Sequence, residues 1–245
     1  MATIANTLAP SADWTKRFEE EGAVLLRGLL DAAHQSMAKG WLSALAARAA
    51  NIPESYQPEL EPLYQQEAPS LRKVRRLAWN DPKFWGDFFQ SSGLSTLVRT
   101  LVDDPVLIFH ACFFKPKGIG TAVGFHQDQA LWPHLYNGAV TLWLALDATD
   151  EDNGALLGVP SSQKRGLLPH CPTLSHPWHP VIRLDGADLP QPQVWRMAAG
   201  DGLAWHRYYA HGSGPNRSSR DRCGMVMVFA PEITAGAAVD RFHLR

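Results

Sequence analysis

Val106-Leu-Ile-Phe-His-Ala-Cys-Phe-Phe114 is where the character of the chain changes. An unbroken run of β-branched and aromatic side chains reads as a buried strand, and the sequence beyond it keeps that texture. Further strands are expected at residues 125–128, 139–147, 155–160, 194–197, 202–206 and 223–230, with Glu151-Asp-Asn-Gly154 as a turn between two of them. Many strands joined by short connections fit two sheets packed face to face: a jelly roll, or double-stranded β-helix of the cupin-like kind, whose interior can hold a site.

Upstream the pattern is helical. Ser11 or Asp13 can cap a short helix ending at Gly22, Ala23-Val-Leu-Leu-Arg27 reads as a strand, and Asp31 can cap an Ala- and Leu-rich helix over 32–50 that Pro53 stops. A further helix is expected from Pro82 to about Val102, anchored by Phe84, Phe88, Leu94, Leu97, Val98 and Leu101. The acidic and amide residues between 54 and 69 read as a loop or lid. Leu71-Arg-Lys-Val-Arg-Arg-Leu77 reads first as a charged surface face, and alternatively as a holder of an anionic substrate group. With no internal repeat or linker, 1–245 is expected to be a single domain, mainly β with flanking helices: a helical part over about 11–102 and a jelly-roll core over about 105–231.

Composition bounds the function. A hydrophobic fraction of 45% and nine Trp can fill a sizeable core, while 18 Pro and 19 Gly imply many turns. The net charge of −1 provides no global field for nucleic acid or an anionic membrane. No apolar stretch approaches the roughly 18 residues of a membrane span, and no signal-type segment opens the chain, so a soluble cytoplasmic protein is expected. Cys112, Cys171 and Cys223 are odd in number and far apart in sequence, as expected for free thiols in a reducing compartment.

Chemistry concentrates at His126-Gln127-Asp128. In an extended strand, residues i and i+2 face the same side, so an imidazole and a carboxylate would stand together. One further imidazole would complete a set suited to Fe(II) with open coordination positions. Of the ten histidines, His34 and His243 have no ligand-type neighbours, and His170, His176 and His179 occupy a Pro-rich stretch. His110 sits in the apolar strand and reads as core. His206 and His211 compete for the third ligand; His211 opens His-Gly-Ser-Gly-Pro-Asn216, a turn sequence that displays a side chain at a sheet edge, whereas His206 completes a strand and more naturally packs or touches substrate.

Taken in order, His126-Gln-Asp128, Leu146-Asp-Ala-Thr-Asp-Glu-Asp-Asn-Gly154, Pro160-Ser-Ser-Gln-Lys164 and His211-Gly-Ser-Gly-Pro-Asn-Arg-Ser-Ser-Arg-Asp-Arg222 resemble the phytanoyl-CoA dioxygenase superfamily of Fe(II)/2-oxoglutarate-dependent oxygenases, from roughly Phe18 to Pro231. The resemblance implies His126, Asp128 and His211 as iron ligands. It also implies Arg222 as the partner of the distal carboxylate of 2-oxoglutarate, with Ser213 on the same carboxylate and Trp143 beside the co-substrate. Arg suits that role because its planar fork matches a carboxylate. Arg220 and Arg222 share strand parity, so only the family spacing separates them.

The activity so implied is oxidation of an unactivated C–H bond of a small organic substrate with O2 and 2-oxoglutarate as co-substrates, most simply hydroxylation, in a setting such as secondary metabolism. Asp128 fills the position that related halogenases leave vacant, which disfavours halogenation. Radical epimerisation, cyclisation or desaturation remain alternatives, as do a non-catalytic metal- or ligand-binding jelly roll and a zinc hydrolase. Trp132, His134, Tyr136 and His206 are candidate substrate contacts, with Phe125, Trp205, Tyr208 and Tyr209 flanking the ligand segments. No nucleic acid or membrane partner is expected, and the sequence does not set the oligomeric state.

Overall fold

The computed structural model describes residues 12–48, 51–61, 70–132, 137–172, 180–182, 188–235 and 240–244. Helix α1 (Ala12–Glu21) ends where Gly22 takes φ +83°, a conformation costly for any residue with a Cβ. Helix α2 (Ala32–Ala46) opens on Asp31, whose carboxylate accepts the His34 amide at 2.8 Å; such a cap contributes about 1 kcal/mol. One turn, α3 (Leu77–Asn80), leads into α4 (Pro82–Ser91) and α5 (Leu94–Leu101). The helix expected from Pro82 to Val102 is therefore two helices, because Gly93 turns left-handed (φ +77°) between them.

The strands are β1 (Ala23–Leu26), β2 (Glu59–Leu60), β3 (Leu71–Arg75), β4 (Pro105–Lys115), β5 (Val123–His126), β6 (Val140–Ala145), β7 (Leu156–Gly158), β8 (His170–Cys171), β9 (Val181–Ile182), β10 (Gln193–Trp195), β11 (Gly202–His206), β12 (His211–Ser213), β13 (Arg222–Pro231) and β14 (Phe242–His243). One sheet runs β1-β11-β6-β13-β4-β3-β2 with β14 also on β4; a second runs β10-β7-β12-β5; β8 and β9 form a separate pair. The pairings among the described residues are antiparallel. This is the expected double-stranded β-helix with helices laid on its larger sheet.

Strand alternation divides the core in two. On β6, Leu142 and Leu144 join Leu42, Trp85 and Phe88 of the helices, while Trp143 and Ala145 join Leu156, Trp205 and Val226 between the sheets. Each large apolar side chain so buried contributes roughly 1.5 to 3 kcal/mol. His110 lies on the helix side with its ring 4.6 Å from that of Trp85, a core histidine as expected.

Three further expectations change. The strand expected to reach Asp128 stops at His126, and Asp128 begins a one-turn helix, α6 (Asp128–Leu131). The stretch 54–69, read as a loop or lid, carries short regular elements where it is described: Glu54–Tyr56 is a single 3-10 turn, β2 pairs with β3, and buried Glu61 accepts the Thr121 amide at 3.1 Å and its hydroxyl at 2.7 Å. Residues 62–69 of that stretch lie outside the described residues. The basic segment 71–77 is not wholly a surface face: residues 71–75 form β3 of the main sheet, Arg76 caps α3 and is paired outside with Asp240, but Lys73 points between the sheets.

Candidate metal centre and its cavity

Residues His126 and His211 are direct cross-strand partners of β5 and β12, which places their rings 4.3 Å apart, centre to centre. Close approach of the two strands is possible because Gly212 has no side chain; a Cβ there would come within 2.8 Å of the Val123 carbonyl oxygen. Asp128 reaches the same point from beyond the strand end. Gln127 keeps extended dihedrals (φ −113°, ψ 137°), so the i, i+2 relation survives although the ladder has stopped.

The hydrogen bonds around the three side chains fix what they present. Each histidine donates from Nδ1 to the carbonyl two residues before it, His126 to Gly124 at 2.9 Å and His211 to Tyr209 at 3.0 Å. A carbonyl only accepts, so in the neutral ring the proton sits on Nδ1 and Nε2 offers a lone pair. Both Nε2 atoms face Asp128 Oδ1, at 3.9 Å and 3.7 Å. The other carboxylate oxygen, Oδ2, is held by Thr141 Oγ1 at 2.5 Å and Trp205 Nε1 at 2.8 Å. Three buried acceptor atoms, all within 4.8 Å of one another, thus converge on one space. Acceptors gathered out of water are mutually repulsive without a cation between them, so the donor set fits a divalent ion, and two imidazoles with one carboxylate suit Fe(II).

Gln127 ties the two ligand arms together. Its buried side chain donates to the Gly166 and Tyr208 carbonyls at 2.8 and 2.6 Å and accepts the Leu168 amide at 2.7 Å. His170, read as loop, accepts the Gln127 amide at 3.0 Å.

The convergence point lies in a cavity of about 230 Å³ between the sheets. Trp132, Trp143, Ser213 and Arg222 line it, as do Phe109, Phe113 and Lys73. Arg222 is 2% exposed; its guanidinium lies 4.8 Å over the Trp143 ring and donates once, to the Gly154 carbonyl at 3.0 Å. Gly224 makes room for that Trp143 ring, which a Cβ would overlap. Burial pushes Arg222 down to about 10, the signature of a cation with no carboxylate beside it among the described residues. Arg220, which alternation could not separate from Arg222, is exposed and paired with Asp150 at 2.6 Å.

Lys73 is a second cation in the cavity. Its Nζ lies 4.5 Å from the Phe113 ring centre and 5.5 Å from that of Phe109, and burial lowers it to about 8, with Arg72 adding to the effect. Lys115 is lowered further, to about 6, again chiefly by burial, and its Nζ donates to the Thr121 and Gly214 carbonyls at 2.8 and 2.5 Å.

His206 is not among the described residues lining this cavity; it ends β11 with its ring 6.3 Å from Phe18 and 5.5 Å from Tyr208. His134 and Tyr136 lie outside the described residues. Sequence reasoning passed over Thr141 and Lys115 altogether, although Thr141 shares the inward parity of Trp143 on β6 and was legible in that sense.

Fold and site together define a class: a double-stranded β-helix with two histidines and a carboxylate at the cavity floor, the arrangement of non-haem iron oxygenases. The profile of the phytanoyl-CoA dioxygenase (PhyH) family matches residues 18–224, and the chain belongs to that family. It is 31% identical over 121 residues to a probable alpha-ketoglutarate-dependent hypophosphite dioxygenase of Stutzerimonas stutzeri, covering 48% of this chain and 42% of that protein. It is 30% identical over 171 residues to a phytanoyl-CoA dioxygenase of Arabidopsis thaliana, covering 65% of this chain and 57% of that one. The chain thus spans about half the length of these curated relatives. A solved non-heme alpha-ketoglutarate-dependent carbocyclase from nogalamycin biosynthesis shares the fold at TM-score 0.70 and 18% identity, over 90% of this chain and 83% of that one. Among the described residues no helix is long and apolar enough to cross a membrane.

Proposed function

We propose that the protein is an Fe(II)/2-oxoglutarate-dependent oxygenase that oxidises a C–H bond of a small organic substrate, with hydroxylation as the outcome. The observation that carries this reading is the convergence of His126 Nε2, His211 Nε2 and Asp128 Oδ1 in a cavity that also contains the buried, carboxylate-free guanidinium of Arg222. His126, Asp128 and His211 would hold the ion. Arg222 and Ser213 would hold the far carboxylate of 2-oxoglutarate, with the Trp143 ring, over which the guanidinium lies, flanking it. Bound iron supplies the redox chemistry by which O2 and 2-oxoglutarate give succinate, carbon dioxide and an oxidised substrate.

The chain's own residues do the positioning. Thr141 and Trp205 keep one oxygen of Asp128 occupied, so the other is aimed at the ion site. The apolar wall of Phe109, Phe113, Leu156 and Val226 keeps the site poorly hydrated, which strengthens charge–charge attraction inside it. Lys73 faces the same space and is suited to a second carboxylate or comparable anion, of co-substrate or substrate; the hypophosphite named for one relative is a small anion of that kind.

The test is anaerobic addition of Fe(II) and then 2-oxoglutarate to the purified protein. A metal-to-ligand charge-transfer absorption is expected; no such band, with zinc bound tightly instead, overturns the proposal. Cyclisation or epimerisation on the same residues is the second reading, favoured by the fold shared with a carbocyclase, and product analysis separates it from hydroxylation.

A further inference from the structure

Two of the three cysteines meet in space. Cys112 on β4 and Cys223 on β13 are 111 residues apart in sequence, yet their sulfur atoms are 3.0 Å apart. Both lie on the helix-facing side of the main sheet, offset diagonally by two positions in the ladder, since Cys112 pairs with Met225 and Cys223 with Phe114. They differ in access. Cys112 is fully buried, whereas Cys223 is part-exposed and lines a second cavity, about 630 Å³, bounded by α2 and the end of β4. Lys39 and Lys117 border that cavity together with Asp147 and Asp221, a polar, accessible mouth through which a small oxidant can reach the Cys223 sulfur.

We infer that Cys112 and Cys223 form a peroxide-oxidisable dithiol whose closure to a disulfide displaces Arg222. Cys223 is the attacking sulfur because it borders open space. Its thiolate attacks one peroxide oxygen, the O–O bond breaks, and the departing hydroxide takes up the proton lost by the thiol to leave as water. The sulfenic acid so formed is attacked by the Cys112 sulfur, 3.0 Å away; the S–O bond breaks, and the Cys112 proton leaves with the hydroxide as a second water. Two thiols are oxidised by two electrons and one peroxide is reduced to two waters. Burial, and then the contact with Cys223, push the Cys112 thiol up, which keeps it protonated until that second step.

Displacement of Arg222 follows from the ladder. Diagonal neighbours in an antiparallel pair have Cα atoms roughly 7 to 8 Å apart, whereas a disulfide spans about 4.4 to 6.8 Å. Closing the bond therefore draws Cys223 toward β4 and strains the amide it donates to Asp147 Oδ2 at 2.9 Å. Arg222 is the next residue and sits on the opposite face, so the backbone movement alters where its guanidinium lies over Trp143. This functional arm rests on the reading of Arg222 as the co-substrate anchor; the sulfur chemistry does not.

The experiment uses the full chain, metal-free so that no iron reacts with peroxide. Hydrogen peroxide treatment, alkylation of remaining thiols and peptide mass mapping are expected to show loss of two hydrogen atoms, a cross-link between the Cys112 and Cys223 peptides, reversal by dithiothreitol, and exposed Cys171 outside the cross-link. In Cys112→Ala, Cys223 should instead carry oxygen. Calorimetric titration with 2-oxoglutarate in the presence of Mn(II) should show the oxidised protein binding about tenfold more weakly than the reduced one. Oxygen on Cys223 with Cys112 still alkylatable in the wild type, or both thiols intact where Cys171 is oxidised, overturns the dithiol. A cross-link with unchanged affinity overturns the displacement of Arg222. Reduced protein that does not bind 2-oxoglutarate at all overturns the oxygenase reading and leaves the cross-link result to stand on the mass map.

Discussion

Replacing Arg222 with Met is the most direct perturbation of the proposed site, because Met keeps much of the apolar volume beneath Trp143 and removes only the charge and the donors. Arg222 is 2% exposed and its guanidinium spends one donor on the Gly154 carbonyl; the rest are available to a carboxylate in the cavity. A charge-assisted hydrogen bond contributes about 1.5 to 3 kcal/mol, so affinity for 2-oxoglutarate should fall about 10- to 150-fold. Fe(II) affinity should stay near wild type, since none of the three candidate ligands touches the guanidinium in a hydrogen bond. Thermal stability of the metal-free protein should hold or rise, because a buried cation without a carboxylate partner is costly to desolvate. Calorimetry of 2-oxoglutarate binding with Mn(II), beside chelator competition for Fe(II), reads both affinities. Arg220→Ala is the control: its exposed pair with Asp150 should matter to binding by no more than about twofold. If Arg220→Ala weakens 2-oxoglutarate and Arg222→Met does not, the anchor has been misassigned; if Arg222→Met lowers Fe(II) affinity equally, the residue supports the metal site and not the co-substrate.

Thr141→Val removes the 2.5 Å donor to Asp128 Oδ2 and should lower metal affinity about tenfold with the fold intact, measured by competition with a chelator; unchanged affinity would deny the threonine its orienting role. Lys73, lowered to about 8 by burial, attracts an anion only while protonated, so affinity for the carboxylate it holds should fall as pH rises through about 8. Lys73→Met should abolish that dependence, in the 2-oxoglutarate titration if the anion is the co-substrate or in the substrate KM if it is not; an unaltered pH profile in both would exclude the contact. His110, whose burial lowers it from 6.5 to about 3, is neutral in the fold while the unfolded chain binds a proton. Stability should therefore fall as pH drops below about 6.5, by roughly 3 kcal/mol at pH 4, and urea unfolding of His110→Phe should lack that loss.

What could be read from the sequence tracks the physics of each feature. The strands with strong apolar texture came out nearly as expected, β4 and β11 most closely, because a buried strand needs a continuous or alternating run that local composition records. Asp128 was singled out as a candidate on a strand that does not reach it: the ladder ends at His126, and the extended Gln127 preserves the alternation. Lys73 was weighed mainly as surface charge because a basic run carries no mark of which member points inward. Only its pairing with Phe113 turns it toward the cavity. Gly93 split one expected helix into two, since a left-handed residue interrupts a periodicity that continues on both sides.

By itself the sequence carried the family resemblance, the β-rich architecture and, through that resemblance, the candidate set His126, Asp128, His211, Ser213 and Arg222, since spacing along a chain is preserved whatever the fold does with it. Tertiary structure decided what faces what: the cross-strand pairing of His211 with His126, the exposure that separates Arg220 from Arg222, the turn of Lys73 into the cavity, and the meeting of Cys112 with Cys223. Those contacts join residues up to 111 positions apart, and sheet register, which sets them, is fixed by the packing of whole faces and not by any local run of residues.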